Sequence, residues 1–342
     1  MSTATASAPA LNAVATMTAK SVRFMGERVE LIDEEVTALK PNQVRLRTET
    51  TLVSIGTEIA WIEQKAKTKE PCWLGYSYVG TIEALGSDVS GHRVGERVLA
   101  SKGHCSGGNL SVEPGSLVPV PEGLSSERAA FGTLAAIAYH IVQRAAPRLN
   151  EPTVVIGQGA VGSLILQVAK MAGASPLIAV DMDPARLEMA AKLGAIPLNP
   201  AKDDVVARVK ELTGGDGVPL CIEVATNPKA FELAFKLLGL RGRLIVTSTL
   251  FESVPMPILD GFIEKEISVI GAHAPKTPAT PNTYYPYTQA GNKAAAMQAM
   301  LDGRLKVDHL LSHKIKPHEA PAIYERLRQK DRSIVGVLID WR

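Results

Sequence analysis

Cysteine is scarce in this chain: Cys72, Cys105 and Cys221 are the only three in 342 residues. They are too few and too scattered for a disulfide framework, and without a C-x2-C pair a structural zinc knuckle is excluded. Aromatic residues make up 5%, so any core must be built from Ala, Val, Leu and Ile. An excess of one charge is missing as well. Thirty-seven Lys and Arg face 35 Asp and Glu, for a net charge of +2, and the basic residues form no stripe with interleaved aromatics. Nothing there argues for nucleic acid or an anionic membrane surface. No apolar run reaches the roughly 18 residues of a membrane helix. Met1 to Thr18 carries no charge and lacks the basic start and apolar centre of a secretory signal, so it reads as a disordered extension. The expected partner is a small molecule and the expected location is the cytoplasm.

What is present is ample apolar material, 46% hydrophobic against 21% charged residues, in a length that suggests two domains. Ser21 to about Pro121 reads as β. Gln43 to Thr48 alternates with period two, and Val79 to Gly86 and Gly95 to Ala100 repeat the theme between glycine turns. Many short strands suggest a barrel-like β domain. A capped helix start at Ser125-Ser126-Glu127 opens an Ala-rich helix to about Arg144. After Asn150 strand and helix alternate: Val154–Ile156, Val161–Ala172, Leu177–Val180, a helix from Asp183-Pro184 to Gly194, Cys221–Val224, a helix from Asn227-Pro228, Leu244–Thr247 and Ile267–Gly271. That alternation predicts an α/β, doubly wound parallel sheet. It ends in a Pro- and Tyr-rich stretch, Pro275 to Tyr287, followed by helices near 292–301 and 317–329 and a strand near 335–339.

The most informative segment is Gly157-Gln158-Gly159-Ala160-Val161-Gly162, a G-x-G-x-x-G between a strand and a helix. Gly157 permits the tight turn, Gly159 admits a pyrophosphate against backbone, and Gly162 lets the helix pack on the strand. Asp181 follows Gly162 by 19 residues, at the end of the next strand, where a carboxylate accepts hydrogen bonds from an adenosine ribose. The same carboxylate repels a 2′-phosphate, so NAD(H) is favoured over NADP(H). Arg186, on the following helix, is the one nearby cation with the reach to offset it.

A β domain first, a dinucleotide domain second and a return at the end, with Gly56-Thr57-Glu58, Gly75-Tyr76-Ser77-Tyr78-Val79-Gly80 and Gly157–Gly162, resembles the medium-chain dehydrogenase/reductase family. The resemblance implies a GroES-like β-barrel catalytic domain (residues 19–140 and 288–342), a Rossmann domain (141–287) and an active site in the cleft between them. It also implies a homo-oligomer, expected as a homodimer. Zinc-dependent members carry C-G-T-D and G-H-E motifs and a third ligand. Here Ile55, Tyr76 and a residue near Thr133 stand at those positions, so the expectation is a zinc-independent enzyme. Ser54-Ile55-Gly56-Thr57-Glu58 with Gly75-Tyr76-Ser77 is similar to the subgroup containing bacteriochlorophyllide (hydroxyethyl) dehydrogenase. That likeness implies oxidation of a secondary alcohol to a ketone.

Four residues are candidates for the chemistry. Tyr76 is a phenol donor or packing in place of the metal. Glu58 is an acidic residue near the site or a structural acceptor. His104 is a loop residue bordering the cleft or facing solvent. His273 follows the last Rossmann strand, where the family sets backbone against the nicotinamide carboxamide. Cofactor contacts are expected from Gly157, Gln158, Gly159, Ala160, Val161, Gly162, Asp181, Arg186, Thr247, Ser248, Thr249 and His273. His140 reads as a core or domain-joint residue, the remaining histidines as solvated, and Trp61 and Trp73 as pocket lining or core. Two other readings stay open: an NADPH-dependent quinone or enoyl reductase, and a non-catalytic dinucleotide-binding protein.

Overall fold

The order of strands and helices falls into two halves of different texture. The structure, a computed structural model, describes residues 15–225, 227–247 and 254–342. Its elements group into two compact units. The first runs to Pro119 and regains Lys314–Asp331 and Leu338–Arg342; the second comprises Val120–His313 and Arg332–Val337.

The first unit begins with β1 (Met17–Met25), β2 (Val29–Val36) and β3 (Gln43–Val53), then α1 (Ile55–Thr68) and β4 (Pro71–Trp73). β5 (Ser77–Leu85), β6 (Arg97–Ala100), β7 (Gly107–Ser111) and β8 (Leu117–Pro119) follow. β1 lies between β2 and β4, with antiparallel partners on both sides. β3, β5, β6 and β8 run antiparallel in that order, with β7 also on β3. Period-two side chains Val44 and Leu46, Val98 and Ala100, with Tyr78 and Ile82, form the core between them. This is the expected GroES-like β architecture. β1 starts two residues inside the segment read as a disordered extension; residues 1–14 lie outside the described residues. Helix α1 was not foreseen, because only Glu58 and Ile62 of its 14 residues are buried, which leaves almost no apolar stripe to detect.

The second unit holds α2 (Ser126–Ala129), α3 (Gly132–Ala145), β9 (Thr153–Ile156), α4 (Ala160–Met171), β10 (Leu177–Val180) and α5 (Pro184–Lys192). It continues with β11 (Ile196–Leu198), α6 (Val205–Leu212), β12 (Val218–Glu223), α7 (Pro228–Leu237), β13 (Leu238–Val246), β14 (Ser268–Gly271) and α8 (Gln289–Leu301). The six strands are all parallel, in the order β11-β10-β9-β12-β13-β14, the Rossmann arrangement. β9 and β10 are buried at every residue, as strands covered on both faces must be. Asp183 caps α5 by accepting from the Ala185 and Arg186 amides, and Asn227 caps α7 through the Lys229 amide, both as the Asp-Pro and Asn-Pro pairs predict. The chain closes with β15 (His313–Ile315), α9 (Ala320–Arg328) and β16 (Val337–Asp340), and β15 and β16 extend the first unit's sheet beyond β3.

The compact units divide at Pro119. The reason is packing: α3 lies against α4 and α8, so both flanking helices belong to the parallel-sheet unit.

The motif glycines make unequal demands. A Cβ at Gly162 would sit 1.8 Å from the Gly157 carbonyl oxygen, whereas one at Gly159 meets nothing within 4 Å. Gly162→Ala is expected to destabilise the protein by about 1–3 kcal/mol or more through overpacking, and Gly159→Ala by less than about 1 kcal/mol. Urea unfolding of the two variants checks this, and equal losses would refute the close-packing argument.

Candidate functional site

In the second unit, β9 ends in a turn that only glycine adopts comfortably. Gly157 has φ +95°, and a Cβ there would press the Ala225 amide nitrogen at 3.0 Å. Gly159 then begins α4 with no side-chain cap and with open space where its Cβ would be. The first-turn N–H groups of Ala160, Val161 and Gly162 are thus left for an anionic ligand, which the helix dipole also favours. Asp181 ties this loop to the next crossover. Its carboxylate accepts from the Gln158 amide at 2.7 Å and from the Asp183 amide at 2.8 Å. The Arg186 guanidinium lies 3.8 Å from both Asp181 and Asp183. Gln158 is buried and donates to the Val155 carbonyl, and Thr247 donates to the Glu223 carbonyl. The loop residues, Asp181 and Arg186 therefore come together as expected. Ser248 and Thr249 lie outside the described residues.

A cavity of about 850 Å³ opens at the carboxyl ends of β13 and β14, lined by Val246, Thr247, Gly271, Ala272 and His273 with residues of α3 and of the segment after β14. His140 of α3 forms its polar wall. The His140 Nδ1 is 2.9 Å from the Thr277 Oγ1 and 2.7 Å from the Tyr285 hydroxyl. Thr277 donates to the Ala274 carbonyl, and Tyr285 donates to the Gln143 Oε1, which also accepts from Asn292. Burial lowers the His140 pKa, with Arg144 and His273 adding repulsion. His140 is therefore cavity wall as well as core. His273 is exposed at the same cavity. The Pro- and Tyr-rich stretch supplies Pro278, Asn282 and Tyr285 to the lining, a role that its composition alone did not reveal.

The first unit groups the other candidates differently. The Tyr76 hydroxyl shares a hydrogen bond with the Ser54 Oγ and lies 3.5 Å from the Thr57 Oγ1, while Trp61 meets its ring edge-on at 5.8 Å. Burial raises the Tyr76 pKa above the usual tyrosine range. Trp61 and Trp73 line a small pocket of about 370 Å³ with Cys72 and Gly75, and Arg23 stacks 3.9 Å over Trp73. Glu58 and His104 are buried to 0% and 1% exposure, so His104 does not face solvent and Glu58 acts as a structural acceptor. The Glu58 carboxylate accepts from the Ser54 amide at 2.6 Å, lies 3.2 Å from the His104 Nε2, and accepts from the Tyr324 hydroxyl. Tyr324 had no signal in the sequence, being one tyrosine on a distant amphipathic helix.

By the resemblance, the donors of a catalytic zinc would stand at Ile55, at Tyr76 and near Thr133. Isoleucine offers none, Tyr76 is engaged with Ser54, and the Thr133 Oγ1 is buried without a partner. Among the described residues no group of three His, Cys, Asp or Glu side chains is arranged to hold a metal. The side chains at these positions do not fit the ion.

Because Glu58 satisfies three partners from α1, the His104 loop and α9, Glu58→Ala should cost about 3–5 kcal/mol, as loss of one member of a buried charged network does. Glu58→Gln, which keeps one acceptor oxygen, should cost less. Thermal unfolding of both variants is the measurement; an Ala variant as stable as wild type would contradict it.

Comparison with known proteins agrees with this geometry. The model of the alcohol dehydrogenase GroES-like domain matches residues 40–146, and that of the zinc-binding dehydrogenases matches residues 160–290. An alcohol dehydrogenase of Cupriavidus necator is 24% identical across 91% of this chain and 95% of its own. A (R,R)-butanediol dehydrogenase of Bacillus subtilis is 30% identical across 52% of this chain, which spans 59% of that protein's length. Among solved structures, the alcohol dehydrogenase TADH of Thermus sp. ATN1 superposes with a TM-score of 0.79 at 24% identity, over 94% of this chain and 99% of that one. An Escherichia coli oxidoreductase of unknown specificity gives 0.81 at 19%, over 95% and 99%. With the two models together matching more than half of the chain, and an alcohol dehydrogenase relative covering 91% of it, the chain belongs to the medium-chain dehydrogenase/reductase family.

Proposed function

We propose that the protein is a zinc-independent, NAD(H)-dependent oxidoreductase that moves a hydride between nicotinamide and a secondary alcohol or its ketone. The observation that carries this reading is the uncapped start of α4 beside Gly159, backed by Asp181. The amides of Ala160, Val161 and Gly162 would hold the pyrophosphate, and Asp181 the adenosine ribose. When bound, the nicotinamide supplies or accepts the hydride. The chain's own residues orient the substrate and handle the proton. Tyr76 is the proposed donor to the substrate oxygen: burial keeps its phenol protonated, and Ser54 fixes the hydroxyl. Glu58 is then a positioning residue, holding the Ser54 amide at the start of α1. His273, on the cavity at the end of β14, is the proposed contact for nicotinamide or substrate.

Zinc independence rests on the chemistry of Ile55, Tyr76 and Thr133. The likeness to the bacteriochlorophyllide dehydrogenase subgroup rests on Ser54–Glu58 and Gly75–Ser77, and it favours a secondary alcohol. Homodimerisation is supported by β14, an edge strand of the parallel sheet whose Val269 is 38% exposed, and by the exposed Ile258 and Ile263. A cytoplasmic location is part of the same proposal. One observation favours a second reading: Arg186, 3.8 Å from Asp181, offsets part of the repulsion of a 2′-phosphate, and the quinone or enoyl reductase reading uses NADPH.

Turnover of secondary alcohols with NAD, before and after chelation, tests the proposal. Activity should survive chelation, elemental analysis should find no stoichiometric zinc, and NADH should bind more tightly than NADPH, with the gap narrowed in Asp181→Ser. One zinc per chain lost together with activity, or tighter NADPH binding, overturns the corresponding part. Tyr76→Phe keeps the ring and removes one donor, so turnover should fall on the order of 100-fold, about 3 kcal/mol of transition-state stabilisation. NADH affinity should hardly move, and a loss smaller than about threefold would reduce Tyr76 to packing.

A further inference from the structure

The charged side chains that line the 850 Å³ cavity of the second unit, among the described residues, have one sign. Arg144 and Lys276 line it together with His140 and His273, and no described Asp or Glu does. This clustering stands out in a chain whose net charge is only +2. The placement is built into the backbone. His140 and Arg144 are four residues apart on α3, so their side chains leave the same face. His273 and Lys276 bracket one tight helical turn, closed by the Lys276 amide on the His273 carbonyl at 2.9 Å. Thr277 fastens that turn to α3 by meeting the His140 Nδ1 while donating to the Ala274 carbonyl. Val246, Ala272 and Pro278 make the apolar remainder.

The cofactor's own phosphates do not account for these cations. They belong at the loop after β9, and β13 and β14 lie two and three strands away, about 10 and 14 Å at the usual strand spacing. We propose that this cavity receives an anionic group, a carboxylate or a phosphate, carried by the substrate, so that the substrate class is an oxo or hydroxy acid or a phosphorylated ketone or alcohol. Arg144 and Lys276 supply the positive charge, and His140 and His273 the polar wall. The inference rests on the oxidoreductase reading and deepens it. Burial is the main cause that lowers the His140 pKa, and the smaller repulsion from Arg144 and His273 is what an anion would relieve.

Matched ketone pairs test this with the intact protein and NADH: 4-oxopentanoate against 2-pentanone, and dihydroxyacetone phosphate against dihydroxyacetone. In wild type the charged member of at least one pair should show a kcat/KM higher by about tenfold or more, shrinking with added salt. The pair with the larger ratio identifies the anion as carboxylate or phosphate. In Arg144→Gln and in Lys276→Gln, both exposed positions, that ratio should fall at least about fivefold. Equal ratios near one in wild type overturn the proposal. So do variants that weaken NADH binding and leave the ratio unchanged, because the cations then serve the cofactor. If no ketone is reduced, calorimetric titration of 4-oxopentanoate and of dihydroxyacetone phosphate into the NADH-mixed protein decides. Binding that is lost in the double variant keeps the anion site and removes the hydride-transfer reading, and absence of binding in wild type overturns the site.

Discussion

Strand β9 is hydrogen-bonded to β10 on one side and to β12 on the other: the chain runs from β9 outward to β10 and β11, then returns past β9 to β12 and runs outward the opposite way. Crossovers going opposite ways cover opposite faces of the sheet, so none covers the carboxyl end of β9, and a crevice is left there. The tight packing of Gly162 on the Gly157 carbonyl brings α4 down onto that crevice. The Asp181 carboxylate then locks the loop by taking the Gln158 and Asp183 amides. A dinucleotide fold therefore follows from one reversal of strand order and three glycines with unlike duties: one for φ, one for open space, one for contact.

In the antiparallel unit the organising group is a carboxylate with no exposure. Glu58 collects an amide, a phenol and an imidazole, and so joins the start of α1, the loop before β7 and helix α9. Taking such a group out of water is costly unless its oxygens are hydrogen-bonded, and here both are. The result is a stiff platform under Ser54, whose hydroxyl fixes the Tyr76 phenol.

The cavity at β13 and β14 is the same kind of construction at the other end of the sheet. Its polar wall is a chain of hydrogen bonds from Thr277 through His140 and Tyr285 to Gln143 and Asn292. Such chains hold side chains in fixed orientations because each member loses a partner if it turns. The cavity thereby keeps its shape while Arg144 and Lys276 remain exposed to whatever enters.

The sequence by itself determined the elements whose cause is local. The strand runs Val154–Ile156 and Leu177–Val180 are apolar throughout, Asp183-Pro184 and Asn227-Pro228 cap their own helices, and the glycine spacing specifies a strand-turn-helix wherever it is placed. The cofactor loop and Asp181 were legible for that reason. Helix α1 was not, because its inward face is little more than Glu58 and Ile62. Only the tertiary structure decided what Glu58 and His140 do. Apart from the Ser54 amide, the partners of Glu58 lie 46 and 266 residues away, and those of His140 137 and 145, so no periodicity or spacing links them. A hydrogen bond or a shared cavity depends on which surfaces the packed helices and strands bring within about 3 Å, and that distance is set by the fold as a whole.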